Sequence, residues 1–254
     1  MPPVLVVDLA FMAVCVILLW QRLHDRRRLR VFAGSLAPLP ANARDRTLHV
    51  AGRLFAGRRA RSDPVFFPRV FGPLGATPSA VIRHGGCCSG TSRLLILTLA
   101  DLGIRAHQIM LYHQRGHAQH CLVEALLPDG PLIADPSYGF WYAAADGTPI
   151  GLEDLQAAIV PTFHRLPLSE MTEYPPDTYY DFDFAATKTV NWTRSAVRRI
   201  VYRLLNVVTF GSVDRLRVPA LLEWPQTLFI LVGGSVLASL HVVLLLVVLL
   251  GSGT

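Results

Sequence analysis

Two long apolar runs bracket a more polar middle. Val4 to Trp20 is apolar apart from Asp8, and Leu228 to Leu250 carries no charge. At ~1.5 Å per residue the first reaches about 25 Å and the second about 35 Å, which predicts two helical membrane spans. Trp224 stands just before the second run, where an interfacial anchor would. Between the runs the periodicity changes. Asp45 to Ala56 places leucines and a valine on one helical face. Ser89 to Leu102 predicts a buried helix through Leu94, Leu95, Leu97, Leu99 and Leu102, with Gly103 ending it in the left-handed conformation. Three strand-like runs follow: Ile104 to His113, His120 to Leu127 and Pro131 to Ala134. The turn Pro128-Asp129-Gly130 joins the last two as a hairpin.

A buried helix followed by a small antiparallel meander predicts an α+β domain. Around it, Ser35 to Asn42 reads as a linker and Arg58 to Pro78 as an irregular Pro-, Gly- and Arg-rich stretch. Gly151 to Ile159 reads as a short helix, and Glu173 to Phe184, aromatic and acidic, as a surface loop packing back on the core. Thr193 to Val208 has an apolar stripe of Val197, Ile200, Val201, Leu204, Leu205 and Val208, with Arg194, Arg198, Arg199 and Arg203 mostly off it. That pattern suits a helix lying on the inner leaflet and equally one packed on the domain. The expected organisation is a membrane helix over 1–20, a basic juxtamembrane and helical linker region over 21–83 and a core over 84–190. A basic amphipathic helix with linker over 191–227 and a second membrane helix over 228–250 complete it.

Charge adds orientation. The 254 residues carry a net charge of +6, and five arginines (Arg22, Arg26, Arg27, Arg28, Arg30) follow directly on the first span. Cations after rather than before the apolar run predict a retained anchor, not a cleaved leader. Arg215 and Arg217 precede the second span. The positive-inside rule then predicts a two-pass cell-membrane protein with residues 21–225 in the cytoplasm and both termini on the opposite side. Anionic lipid is the expected partner of the basic segments. No nucleic-acid motif accompanies them, so nucleic acid is not an expected partner. The four cysteines, Cys15, Cys87, Cys88 and Cys121, are too few and too oddly spaced for a disulfide framework. Cys15, within the span, is expected to be inert, and the others to be reduced thiols.

The chemistry concentrates where Gly85-Gly86 leads into the buried helix. A helix N-terminus stabilises a thiolate through its free N–H groups and dipole, and a nearby imidazolium adds to this. His120 begins one predicted strand and Asp135 ends the next, so hairpin pairing brings a base and an orienting carboxylate near that thiol. The expected triad is Cys88, His120 and Asp135. His120 would take the thiol proton, Asp135 would hold His120, and the Cys88 N–H would be one oxyanion donor.

The ordered pieces Gly86-Cys87-Cys88, Leu102-Gly103-Ile104, His120 with Val123 and Glu124, and Asp135-Pro136-Ser137 resemble the transglutaminase-like superfamily of papain-like thiol enzymes. The resemblance covers about residues 84 to 139. It nominates Cys88 over Cys87, because in the family's pattern a glycine, any residue and then the nucleophile follow one another. It implies a papain-like core, with the nucleophile's helix packed on a small antiparallel sheet. It also implies acyl transfer through a thioester on a protein, peptide or amide substrate, without a cofactor or metal. Leu122 stands where the family often has tryptophan, which bears on the acyl-acceptor side. His84-Gly85-Gly86-Cys87-Cys88 is also similar to the Arg-Gly-Gly-x-Cys of arylamine N-acetyltransferases, with histidine in place of the arginine. A non-catalytic membrane scaffold of the same fold is the alternative from another class.

Cys87 reads as a buried small residue or a secondary thiol. A metal cluster of His84, Cys87, Cys88, His113, His117, His120 and Cys121 is disfavoured, since His120 and Cys121 are adjacent on a strand and face opposite ways. His117, in the loop Gln114 to Gln119, reads as a solvated loop histidine. In the spans, Asp8 lies about 6 Å and His241 about 3 Å outward of the respective centres. Charged groups at such depths tend to pair, so these two are expected to face each other.

Overall fold

The computed structural model describes residues 3–57, 76–114, 116–157, 159, 161–168, 181–191 and 196–251. It is a mixed α+β chain with a curled antiparallel sheet and an apolar helix at each end. Helix α1 runs Pro3–Ser35 and α7 runs Pro225–Gly251; both are long and apolar enough to cross a membrane. The basic residues after Trp20 do not end the first helix. It continues to Ser35, and its last turns place Leu29, Ala33 and the following Leu36 in the domain core. Charge ends a span but not a helix, because arginine is itself a good helix former.

Helix α2 (Ala43–Ala56) is capped by Asn42, whose side chain accepts from the Arg44 N–H. Gly52 stands in its middle because a Cβ there would overlap the Pro167 carbonyl. Helix α3 (Pro78–His84) was not expected. Pro78, read as the end of an irregular stretch, instead starts a helix behind the Thr77 cap, where a missing N–H costs nothing. The remainder of that stretch, 58–75, lies outside the described residues. Helix α4 (Cys88–Asp101) follows, and Gly103 at φ +78 closes it, with the Ile104 N–H donating to the Leu99 carbonyl at 2.8 Å.

The sheet is larger than the expected meander. Strands β1 (Arg105–His113), β2 (Ala118–Leu127) and β3 (Gly130–Asp135) are joined by β4 (Phe140–Ala143), β5 (Thr162–Arg165) and β6 (Phe182–Lys188). Their spatial order is β5-β4-β3-β2-β1-β6, with every pairing antiparallel. The loop expected over Glu173 to Phe184 is corrected at its end. Phe182 to Phe184 belong to β6, where Phe182 pairs with His113 and is buried, while 173–180 lie outside the described residues. Helix α5 (Leu152–Gln156) lies between β4 and β5, and α6 (Ala196–Val208) between β6 and α7.

Alternation along the strands feeds two cores. Ala106, Val123, Ala125, Leu132 and Ala134 face α4 and pack with residues of α1, α2 and α3 and with Trp224. Ile109, Leu111, Leu122 and Ile133 face the other way, against Tyr142, Leu152, Leu155 and Phe182. The first core thus reaches beyond the segment 84–190, and the juxtamembrane part of α1 is one of its walls.

Candidate active site

Three local devices set the site. The first is the start of α4. Gly85, at φ +80, turns the chain out of α3, and Gly86 sits where a Cβ would press on Val81 at 3.2 Å. Cys87 is the extended N-cap residue and makes no side-chain cap hydrogen bond, so the first-turn N–H groups beginning at Cys88 have no side-chain cap. The second is the β2–β3 register. Val123 pairs with Ala134, so Asp135 falls opposite Leu122 one step further on, and His120 lies two residues along on the same face. That is the diagonal arrangement through which long side chains meet across a ladder. The third is the tight turn after β3. Asp135 Oδ1 accepts the backbone N–H groups of Ser137 and Tyr138 at 2.8 and 3.0 Å.

These devices bring the three expected residues together. His120 Nε2 lies 2.7 Å from Asp135 Oδ2, both side chains being buried. Cys88, at the start of α4, is the sulfur that bears on the charge of the same imidazole. Cys88 is half-buried and opens, with Gly86, Cys87, Gln119, His120, Ser137 and Tyr138, onto a cleft of about 220 Å³. Burial alone would lower the His120 pKa, but the Asp135 carboxylate and the Cys88 sulfur reverse this and raise it to about 10. The ring therefore carries its proton at neutral pH.

Residues not singled out in the sequence complete the surroundings. The Tyr138 ring lies 5.0 Å from that of His120, and Phe182 stacks on the other side at 6.3 Å. Tyr142 is wholly buried, and burial followed by the Asp135 charge pushes its hydroxyl well above the usual phenol range. Its hydroxyl has no hydrogen-bond partner among the described residues. Gln119 supplies the amide in the cleft lining. Tyr138 stands in the turn after β3, and Tyr142 and Phe182 in strands that periodicity did not reveal, whereas Gln119, beside His120, was legible by adjacency.

The remaining candidates separate from the cleft or only edge it. Cys87 is half-exposed rather than buried, and its Sγ lies 3.1 Å from Ser89 Oγ. Cys121 faces away from His120, donating to Met110 Sδ at 3.3 Å. His84 and His117 are exposed, and His113 lies 3.9 Å from Asp181. Among the described residues no group of three or more His, Cys, Asp or Glu side chains is arranged to hold a metal. Glu124 is structural. Its Oε1 accepts the Leu152 N–H at 2.6 Å and its Oε2 lies 2.8 Å from His107, tying α5 to the sheet. Burial would raise its pKa, but His107, the Leu152 N–H and Arg217 together hold it below the usual carboxylate range. The chain matches no protein-family model, no curated protein and no solved structure.

Proposed function

We propose that the chain is a membrane-anchored, cysteine-dependent acyl-transfer enzyme with a transglutaminase-like core. The observation that carries this reading is the position of His120, bonded to buried Asp135 and lining one cleft with Cys88 at a helix start. Cys88 Sγ attacks the carbonyl carbon of an amide, and the carbonyl π pair moves to oxygen. The Cys88 N–H donates to that oxyanion, and the Gln119 amide is one of the side-chain donors lining the cleft, with Ser137 and Tyr138. Collapse restores the C=O and breaks the C–N bond, while the His120 imidazolium gives its proton to the departing amine. Water or a second amine then attacks the thioester, His120 takes the attacker's proton, and the sulfur leaves as thiolate. Asp135 keeps the ring oriented throughout and stabilises its positive form before the first step and after the last, the ring being neutral in the acyl-enzyme.

The arginines after the first span and before the second support a two-pass arrangement with the domain in the cytoplasm. The substrate is then a protein, peptide or other amide reached from the membrane face. The test is competitive alkylation of the full chain with iodoacetamide at neutral pH, read by mass spectrometry. Cys87 is the internal control, since both thiols line the cleft. Cys88 is expected to react first, and His120→Ala is expected to abolish its advantage. Equal rates at the two cysteines in the unaltered chain would refute the reading. An acyl adduct trapped on Cys88 from cell extract would name the substrate.

A further inference from the structure

Among the described side chains of helix α6, three aliphatic ones stand well exposed: Ile200, Val207 and Val208. The Tyr202 hydroxyl lies 3.3 Å from Asp214 Oδ2, and Lys188 Nζ reaches the same oxygen at 2.9 Å. Lys188 also sits over the Tyr202 ring, 5.0 Å from its centroid. This polar clamp ties α6 to β6 and to the segment that follows. At ~100° per residue, Ile200, Val207 and Val208 fall on the far side of the helix from Tyr202. They are 57%, 75% and 71% exposed. An ordinary surface helix would point that stripe at the domain.

The chain then reaches Phe210, which is 97% exposed and held at φ 49, a left-handed conformation that a bulky side chain rarely adopts. Arg199 and Arg203 are exposed and lie toward one edge of the apolar arc. Exposed Leu216 and Leu221 carry apolar surface on along the chain toward α7, which starts fifteen residues after Phe210.

We propose that α6 lies in the headgroup boundary of the membrane that α1 and α7 cross. Ile200, Val207, Val208 and Phe210 enter the acyl boundary, and Arg199 and Arg203 meet anionic phosphates. A bilayer is favoured over a protein groove on two grounds. The apolar arc is bordered by cations that suit anionic headgroups, and it is continuous in the chain with a helix apolar enough to span. The docking is independent of the catalytic reading.

The test places p-benzoylphenylalanine at position 210 of the full chain, where full exposure leaves the fold untouched. The chain is reconstituted in phosphatidylcholine vesicles with or without phosphatidylglycerol, irradiated, and analysed by mass spectrometry. The expected result is a lipid adduct whose yield rises with phosphatidylglycerol. It should fall by about fivefold for each arginine removed in Arg199→Gln and Arg203→Gln. A chain that resists alkaline extraction but forms no lipid adduct, or cross-links only to protein, would overturn the proposal. So would adduct yields that ignore both the anionic lipid and the two arginines. Release of the chain by alkaline extraction would overturn it through the spans themselves.

Discussion

Arg93 Nε lies 3.2 Å from Glu223 Oε2, and this pair joins the helix that begins at Cys88 to the turn that feeds the second apolar helix. The Arg93 guanidinium also donates to the Ala76 carbonyl at 3.2 Å. At the C-terminal end of α4, Asp101 faces Arg30 of α1 at 3.5 Å, in a far more exposed setting. The helix that carries the candidate nucleophile is thus held by charge tightly near its middle to the turn before α7, and loosely at its C-terminal end to α1.

The two contacts should differ in energy. Glu223→Leu leaves Arg93 poorly solvated without its carboxylate, and a loss of about 3 kcal/mol is expected in denaturant titration of the micelle-solubilised chain. The double variant Arg93→Met with Glu223→Leu should recover much of that loss, because no buried charge remains unpaired. Asp101→Asn should cost less than about 1 kcal/mol, as an exposed pair does. Equal losses for the single and double variants would contradict the assignment.

Asp135→Asn keeps a side chain of the same shape but removes the charge that holds His120 positive. Cys88 alkylation at neutral pH is expected to slow by about tenfold or more, since reactivity follows the stabilised thiolate. Melting should change little by comparison with Asp135→Leu, which also strips the Ser137 and Tyr138 N–H groups of their acceptor. An unchanged alkylation rate in Asp135→Asn would remove the carboxylate from the mechanism.

What the sequence disclosed follows from how local each signal is. The apolar run ending at Gly103 needs only its own neighbours to become α4, and the Pro128-Asp129-Gly130 turn sets the hairpin that aligns His120 with Asp135. Strands β4 and β5 are four residues each, too short for alternation to stand out, and they exist because β3 offers an edge to pair with. Phe182 looked like part of an aromatic loop, since only its pairing with β1 makes it a strand residue. For α6 the periodicity disclosed a stripe but not its direction. That depends on where Lys188 and Asp214 catch Tyr202, a relation between residues far apart in sequence.

The apolar helices carry their own test. His241 Nε2 lies 3.2 Å from Asp8 Oδ2, and a Cβ on Gly233 would come within 2.7 Å of the Phe11 ring. Below them, Gln226 donates to Asp25 at 2.7 Å. Pairing of α1 with α7 therefore rests on two polar contacts, His241 with Asp8 and Gln226 with Asp25, and one close approach at Gly233. Asp8→Asn or His241→Leu should weaken the pairing by about 1 kcal/mol, the usual worth of a polar contact between membrane helices. Gly233→Leu should disrupt it more, through the Phe11 clash. The readout is cysteine cross-linking between the two helices in vesicles, and unchanged efficiency in all three variants would refute the contact.

The charge state of His120 makes stability depend on pH with a definite sign. Its folded pKa is raised to about 10, through Asp135 and Cys88 overcoming burial. In the unfolded chain a histidine titrates near ~6.5. Below that value the ring is protonated in both states, and its stabilising contribution is fully present. As pH rises further the unfolded chain sheds the proton first, so stability falls by at most about 1.4 kcal/mol per pH unit. The contribution is gone once pH passes the folded value. Melting curves of the unaltered chain and of His120→Gln should therefore converge from neutral pH toward pH 10, the unaltered chain being the more stable at the neutral end. The same titration should divide the chemistry. Amide turnover falls above pH 10 because the leaving amine loses its proton donor, while Cys88 alkylation, which needs no acid, does not. Parallel melting profiles for the two chains, or turnover and alkylation declining together, would mean that His120 is not the charged partner of Cys88.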